Sequence, residues 1–212
     1  MRLVVTSDTH NNMPDVPSGD VFVHCGDLTS GGSLAELSKA CVWISRLPHK
    51  HKIVVAGNHD WCLYRGDLRN AAEEMLALAG VVYLLDTSVE IGGLKFWGSP
   101  FTPAFQRWAF MLKRGKELYD HWQKIPEDVD VLITHGPPKD MFDRNAQGVS
   151  CGCDDLAARV EEVAPLVHLF GHIHEEGGKS RKCGRTTFVN AAWVGFGKLG
   201  AQPPNAPVVL EV

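Results

Sequence analysis

The sequence predicts an α/β fold built on a mixed sheet system, and three observations support this class. Short apolar runs alternate with helix candidates in the first half of the chain, as they do in βαβ units. The pair Gly92-Gly93 separates two strand candidates and predicts an antiparallel hairpin. The chain has 212 residues, 44% of them hydrophobic and 22% charged, which is ordinary for a globular protein and fits one domain spanning residues 1–212.

The helices are predicted from apolar spacing and from end signals. Residues 34–47 carry apolar side chains at 34, 37, 41 and 44, and Ser33 is placed to cap them. Residues 68–79 are rich in alanine and leucine and end at Gly80, a typical helix terminator. Two shorter helices are predicted at 116–123 and at 154–163, the second ended by Pro165.

The strand candidates divide into short buried apolar runs and a second set that begins at residue 89. Continuous apolar runs predict buried strands at 3–6, 21–24, 53–56, 131–133 and 167–170. Further strands are predicted at 89–91, 94–97, 186–190 and 208–212.

Five segments rich in His, Asp and Asn follow the buried strands. They are Asp8-Thr9-His10, Gly26-Asp27, Gly57-Asn58-His59-Asp60, Thr134-His135-Gly136 and Gly171-His172-Ile173-His174. Side chains of this kind at repeated strand ends indicate a metal site, because strand ends bring distant segments of a chain together. The candidate ligands are Asp8, His10, Asp27, Asn58, His135, His172 and His174. If one carboxylate bridges, these are enough for two divalent or trivalent ions, and imidazole with carboxylate and amide oxygen suits Mn, Fe, Zn or Co better than Ca or Mg.

The ordered motifs D-x-H, G-D, G-N-H-D, H-G and G-H-x-H resemble those of the calcineurin-like metallophosphoesterases over nearly the whole chain. The stretches at 96–138 and 171–175 are most similar to the small metallophosphoesterase-domain-containing proteins, a subgroup with phosphodiesterase activity. The resemblance implies an α/β/β/α sandwich of two mixed sheets flanked by helices. It also implies a binuclear centre, with manganese favoured, in which Asp27 bridges the two ions. One ion would be held by Asp8, His10, Asp27 and His174, and the other by Asp27, Asn58, His135 and His172.

The resemblance places His59 against the substrate phosphate, where an imidazolium can protonate the leaving oxygen. Asp60 stands where that subgroup usually has Glu, and it is expected to hold the His59 ring as part of the catalytic pair. Asn58, His59 and Arg144 are the candidate substrate contacts. The aromatic residues after Pro100 fit either a core or a substrate pocket, and five histidines without a motif partner are assigned to surface or packing: His24, His49, His51, His121 and His168.

Charge and missing motifs exclude other classes. The net charge of −4, without a block of like charges, disfavours a sequence-independent nucleic-acid binder, and the basic cluster Lys179, Arg181, Lys182 and Arg185 is predicted to be a solvated loop. No apolar run has the length of a bilayer crossing and no signal segment is visible, so a cytoplasmic location is expected. A P-loop and a G-x-S-x-G elbow are both missing.

The sequence therefore predicts a phosphohydrolase with a binuclear metal centre. A phosphodiesterase acting on small phosphodiesters or cyclic nucleotides is favoured. The alternatives are a phosphomonoesterase or nuclease with the same metal centre, and a nucleotide-binding protein with little turnover.

Overall fold

The computed structural model describes residues 1–194, 196–197, 200–201 and 204–212. The helices are α1 (Leu34–Ser45), α2 (Trp61–Tyr64), α3 (Arg69–Leu78), α4 (Lys116–Trp122) and α5 (Asp154–Val163), with a 3-10 turn at His174–Glu176. The strands are β1 (Arg2–Thr6), β2 (Val21–His24), β3 (His51–Val54), β4 (Val82–Tyr83), β5 (Thr87–Ile91), β6 (Leu94–Ser99), β7 (Thr102–Pro103), β8 (Met111–Leu112), β9 (Val131–Thr134), β10 (Val167–Phe170), β11 (Lys179–Cys183), β12 (Thr186–Asn190), β13 (Phe196–Gly197), β14 (Gly200–Ala201) and β15 (Val208–Glu211). In the part of the chain that is described, every helix is too short or too polar to cross a membrane.

Two mixed sheets form the centre of the fold. The first has the order β15-β1-β2-β3-β4, in which β1 to β4 run parallel and β15 is antiparallel. The second has the order β11-β12-β10-β9-β6-β5, with four parallel inner strands and an antiparallel strand at each edge. Two small pairs, β7–β8 and β13–β14, lie outside these sheets.

The side-chain alternation of the strands separates the layers. In β2, Val23 faces the interior between the two sheets, where it shares a buried cluster with Ile133 and Leu169 of the second sheet. Phe22 points the other way, into a cluster formed with α1 and α3. On the far side, α4 and α5 cover the outer face of the second sheet around Trp122. The predicted α/β/β/α sandwich is confirmed.

The local signals for α1 and for the hairpin are confirmed. The Ser33 hydroxyl accepts a hydrogen bond from the Glu36 backbone N–H at 3.2 Å, and the Glu36 carboxylate accepts one from the Ser33 N–H at 2.9 Å, which completes a capping box. Gly92 and Gly93 both have positive φ, 58° and 82°, and they join β5 to β6.

The prediction for the basic cluster is wrong in part. Residues 179–183 form the edge strand β11 and not a loop, although all five side chains are exposed. A strand that is polar on both faces carries no apolar alternation, and charged side chains are typical of a protected sheet edge. The short elements α2, β4, β7, β8, β13 and β14 were not predicted, because two to four residues carry too little periodicity.

The end of α5 provides a test of the fold. Ala164 follows the helix with φ 42° and ψ 61°, a left-handed conformation that a Cβ atom disfavours. We expect Ala164→Gly to raise the free energy of unfolding by about 1 kcal/mol. The control Ala158→Gly, at an exposed position inside α5, should lower it by about 1 kcal/mol. Urea denaturation of both variants checks this. An equal loss of stability in the two variants would contradict the left-handed conformation of Ala164.

Candidate metal centre

The seven predicted ligands converge at the carboxyl ends of parallel strands from both sheets. Loops after β1, β2 and β3 carry Asp8, His10, Asp27 and Asn58, and loops after β9 and β10 carry His135, His172 and His174. Since the carboxyl ends of parallel strands meet along one edge, residues distant in sequence become neighbours there. The structure brings all seven together.

Two groups of facing atoms can be distinguished. In the first, His174 Nε2 lies 3.1 Å from Asp8 Oδ1 and 3.5 Å from His10 Nε2. In the second, His135 Nε2 lies 2.9 Å from Asn58 Oδ1 and 3.5 Å from Asp27 Oδ2. The same Asp27 oxygen is 3.9 Å from His10 Nε2, so it lies between the two groups, as a bridging ligand would. His172 is beside the second group, with its ring centroid 4.9 Å from that of His135.

The loop after β2 orients three histidines through its backbone carbonyls. Nδ1 of His135 lies 3.0 Å from the Cys25 carbonyl, Nδ1 of His10 lies 3.3 Å from that of Thr29, and Nδ1 of His59 lies 2.7 Å from that of Ser30. A carbonyl only accepts, so each Nδ1 must carry the proton. A neutral ring of His10 or His135 would therefore present its lone pair on Nε2, which is the arrangement that supports metal-binding histidines.

These donor atoms fit metal ions. Nε2 of His135 faces oxygen atoms of Asn58 and Asp27 that carry lone pairs, so either a proton on Nε2 or a metal ion must lie between these atoms. Asp8, His10 and His174 offer three further ligand atoms within 4.8 Å of one another. Such convergence is unfavourable without a cation, and imidazole, carboxylate and amide oxygen are ligands that first-row transition metals accept together.

The pKa values of the two buried carboxylates are lowered because positively charged histidines face them. Burial raises the pKa of Asp8, but a hydrogen bond and the charge of His174 outweigh it and hold the pKa well below its usual range. Burial also raises the pKa of Asp27, and the charge of His135 outweighs it. Burial lowers the pKa of His135, yet the charge of Asp27 raises it to about 9. The buried His172, in contrast, has its pKa lowered by burial to about 3.

The backbone is strained at the same positions. Asp8, His10, Asp27 and His172 have φ of 53°, 44°, 55° and 67°, a region that residues other than glycine rarely adopt. Conformations of this kind cost about 1–3 kcal/mol each and are concentrated at functional sites. Gly171 also allows a close approach, since a Cβ there would overlap Asp8 Oδ2.

His59 is held on the rim of the centre by three contacts. Its Nδ1 faces the Ser30 carbonyl, its ring stacks on Trp108 with centroids 4.3 Å apart, and its other side meets the His10 ring edge-on at 4.7 Å. Its backbone N–H donates to Asp27 Oδ1 at 2.8 Å. Nε2 is the nitrogen left for a ligand.

The expected contact between Asp60 and the His59 ring is wrong. The Asp60 carboxylate accepts hydrogen bonds from the backbone N–H groups of Gly57 (2.8 Å), Leu28 (3.3 Å) and Thr29 (2.9 Å), and from the Thr29 hydroxyl (2.7 Å). The tight turn from Gly57 to Asp60 directs this side chain into the interior, where it is fully buried. Asp60 therefore ties the loop that carries Asp27 to the loop that carries Asn58.

Arg144 also lies away from its predicted place. Its side chain is exposed and donates to the Gly148 carbonyl at 2.9 Å, within a small hairpin. A cleft of about 480 Å³ opens beside His172 and His174, and the arginine in its wall is Arg114. Arg144 is directed away from the centre by a carbonyl only four residues further along the chain, in a hairpin that the sequence analysis did not predict.

Sequence reasoning missed two buried supporting residues. His24 accepts a hydrogen bond from the Gly26 N–H at Nδ1 (3.3 Å) and contacts the Thr9 hydroxyl through Nε2 (3.0 Å), while burial lowers its pKa to about 3. Asn190 donates to the Ile173 carbonyl at 2.9 Å and so fixes the segment between His172 and His174. Each is a polar residue at the end of an apolar strand, which is the signal that could have identified it.

Comparison with known proteins agrees with this geometry. The calcineurin-like phosphoesterase family model matches residues 1–176, a range that contains all seven ligand candidates. This chain belongs to the calcineurin-like phosphoesterase family. Calcineurin-like phosphoesterases are metal-dependent enzymes that hydrolyse phosphoesters, typically with a binuclear metal centre, so the predicted reaction class is confirmed.

Several calcineurin-like phosphoesterases and proteins of related fold are similar to this chain. Human metallophosphoesterase domain-containing protein 1 is 37% identical, with an alignment covering 100% of this chain and 71% of that protein. A UPF0046 protein of Caenorhabditis elegans is 39% identical over 91% of this chain and 75% of its own length. The structure of phosphopantetheinyl hydrolase from Mycobacterium tuberculosis has a TM-score of 0.59 at 15% identity, covering 92% of this chain and 89% of that one, which shows a shared fold.

The position of Asp60 gives a prediction. We expect Asp60→Asn to lower the free energy of unfolding by about 1–3 kcal/mol, because an amide NH₂ cannot accept all of these N–H groups. The metal content of the purified protein should fall as well. Both are measured at pH 8. Burial and the charge of Asp27 raise the pKa of the Asp60 carboxyl to about 6, so this carboxyl is ionised at that pH.

The matched control is Asp67→Asn, which removes an exposed carboxylate paired with Arg65 and should change stability by less than about 0.5 kcal/mol. If Asp60→Asn kept its stability and its metal, Asp60 would not tie the two loops together.

Proposed function

We propose that the protein is a phosphodiesterase that acts on small phosphodiesters, cyclic nucleotides among them. The observation that carries this proposal is the cleft of about 480 Å³ that opens directly onto His172 and His174. A diester has a second substituent that must lie beside the reacting phosphate, and a cavity of this size suits a small organic group.

The ligands are proposed for two ions. One ion would be held by Asp8, His10, Asp27 and His174, and the other by Asp27, Asn58, His135 and His172. Manganese is the first metal to test, and Fe, Zn and Co suit the same donor atoms. When bound, two such ions supply hydroxide near neutral pH and neutralise charge on the phosphoryl oxygens.

His59 is proposed as the general acid. Because Nδ1 donates to the Ser30 carbonyl, a proton on Nε2 belongs to the imidazolium form and can pass to the oxygen of the leaving alcohol. Stacking on Trp108 restricts rotation of the ring, which supports transfer in a fixed direction. Asn58 and His59 are the proposed phosphate contacts, and Asp60 acts by positioning the loops. One domain over residues 1–212 and a cytoplasmic location stay predictions.

The proposed activity predicts a preference between chromogenic esters. With manganese present, we expect kcat/KM for bis(p-nitrophenyl) phosphate to exceed that for p-nitrophenyl phosphate by about tenfold or more, which corresponds to about 1.4 kcal/mol of transition-state stabilisation. Asp27→Ala is the control for contaminating hydrolases. Wild-type turnover equal to that of Asp27→Ala would remove the proposed activity, and a preference for the monoester would make the protein a phosphomonoesterase.

Metal content and rate should separate Asp27 from His59. Asp27→Ala should lose both ions, because Asp27 is the side chain placed between the two groups. His59→Gln should keep its metal and lose about 10²–10⁴-fold in kcat for esters of poor leaving groups. For p-nitrophenyl esters the loss should be smaller, since p-nitrophenolate needs no proton. Elemental analysis measures the metal content of both variants. If His59→Gln lost as much metal as Asp27→Ala, His59 would be a ligand. Its ligand atom does lie within reach of those of His10 and Asp27.

A further inference from the structure

We propose that Phe105 and Arg114 form the subsite for the second ester substituent, and that this substituent is a neutral planar aromatic group with hydrogen-bond acceptors, such as a nucleobase. The inference rests on the proposed phosphodiesterase function and deepens it. Both residues line the cleft beside His172 and His174, so a group bound between them would remain attached to a phosphate at the metal centre.

Phe105 provides the aromatic wall of the cleft. Its side chain is 54% exposed although it is a large hydrophobic residue, and its ring centroid lies 5.6 Å from that of His172. Pro103 and Ala104 continue the apolar surface next to it. An exposed phenyl face at the mouth of a polar cleft is suited to stacking with a planar ring. Stacking on an aromatic side chain is open to any base, because every base has a π-face.

Arg114 provides fixed hydrogen-bond donors. Nη1 donates to the Gly152 carbonyl at 2.7 Å and Nη2 to the Cys151 carbonyl at 2.9 Å, while the side chain stays 46% exposed. These two bonds use two of the five guanidinium N–H groups. Within the described residues the other N–H groups have no hydrogen-bond acceptor, so they are left for a ligand. A guanidinium already fixed in direction loses little freedom on binding.

Asn145 adds a second donor to the same cleft. Its Oδ1 accepts hydrogen bonds from the backbone N–H groups of Gln147 (3.1 Å) and Val149 (3.0 Å). Its Nδ2 amino group makes no hydrogen bond to any part of the chain that the structure describes. The cleft thus presents several N–H donors next to one aromatic face, which selects for an acceptor-bearing ring.

The charges of the cleft favour a neutral substituent over a second anion. Arg114 Nη1 already lies 3.6 Å from Asp154 Oδ2, and Glu175 adds a carboxylate to the lining. A second phosphate or carboxylate would meet the Glu175 carboxylate in the lining and would compete with Asp154 for the charge of Arg114, whereas a neutral base would do neither.

A series of diesters with one leaving group tests the subsite. The three substrates are p-nitrophenyl phosphates whose second substituent is methyl, phenyl or thymidine-5′-yl, and the readout is the ratio of kcat/KM to the methyl ester. In the wild type we expect this ratio to rise from methyl to phenyl to thymidine. Phe105→Ala should lower the phenyl and thymidine ratios by about tenfold. Arg114→Met should lower the thymidine ratio by about tenfold and leave the phenyl ratio nearly unchanged.

Matched controls keep the result specific. Tyr119→Ala removes an aromatic side chain with the same 54% exposure from α4, and Arg46→Met removes an exposed arginine at the end of α1, outside the cleft. Both should keep the wild-type ratios. Arg114→Lys, which keeps the charge without the fork of donors, replaces Arg114→Met if that variant does not fold.

A second measurement does not depend on turnover. Saturation-transfer NMR with free thymidine and metal-free protein should show contact at the base protons in the wild type, and this contact should be lost in Phe105→Ala. Equal ratios for all three esters in the wild type, or equal losses on all three in the variants, would overturn the subsite while leaving the phosphodiesterase intact. Absence of any hydrolysis of the methyl and phenyl esters would instead remove the proposed function on which it rests.

Discussion

Two buried carboxylates, Asp8 and Asp27, impose the constraint on which the rest of this structure depends. Each is almost completely removed from solvent, and burial alone would favour their neutral forms. They stay ionised because imidazoles face them and because the backbone N–H groups of His172 and His59 donate to them at 2.9 and 2.8 Å. A pair of metal ions meets the same demand for positive charge more completely. The strained backbone at four of the candidate ligands follows from bringing these groups so close.

The centre also joins the two sheets. Asp8 and Asp27 follow strands of the first sheet, whereas their imidazole partners His174 and His135 follow strands of the second. Opening the sandwich would separate each carboxylate from its partner, so assembly of the site and packing of the two sheets depend on each other. The loop after β2 contributes on both sides of this contact, because it carries Asp27 and also supplies the carbonyls that orient His10 and His135.

Local signals predicted the mixed α/β class and the cluster of ligand candidates, whereas the sandwich of two packed sheets was predicted from the family resemblance. Apolar runs of three to five residues mark the strands, and a liganding residue type just beyond a strand end is placed by the strand itself. Asp60 and Arg144 were misplaced because adjacency in sequence says little about side-chain direction in a turn. Asp60 follows His59 directly, yet its carboxylate bonds to residues about thirty positions earlier in the chain, at Leu28 and Thr29. Arg114 was overlooked as a cleft residue because its fixing partners lie 37 and 38 positions away.

In the proposed phosphodiesterase, reactivity and selectivity are carried by different parts of the chain. The ligand candidates are fixed by strand ends inside the sandwich, and few substitutions there could keep the geometry. Beside His172 and His174, the walls of the cleft come from segments around residues 103–114 and 145–152, which hold their shape through backbone carbonyls and a small hairpin. Among the described residues, no side chain of these two segments is hydrogen-bonded to Asp8 or Asp27. Substitutions in these walls can alter the substituent that binds without disturbing the charge balance of the centre. A shared fold and ligand set therefore identify the chemistry of a phosphoesterase, whereas its substrate must be inferred from the walls beside the metal site.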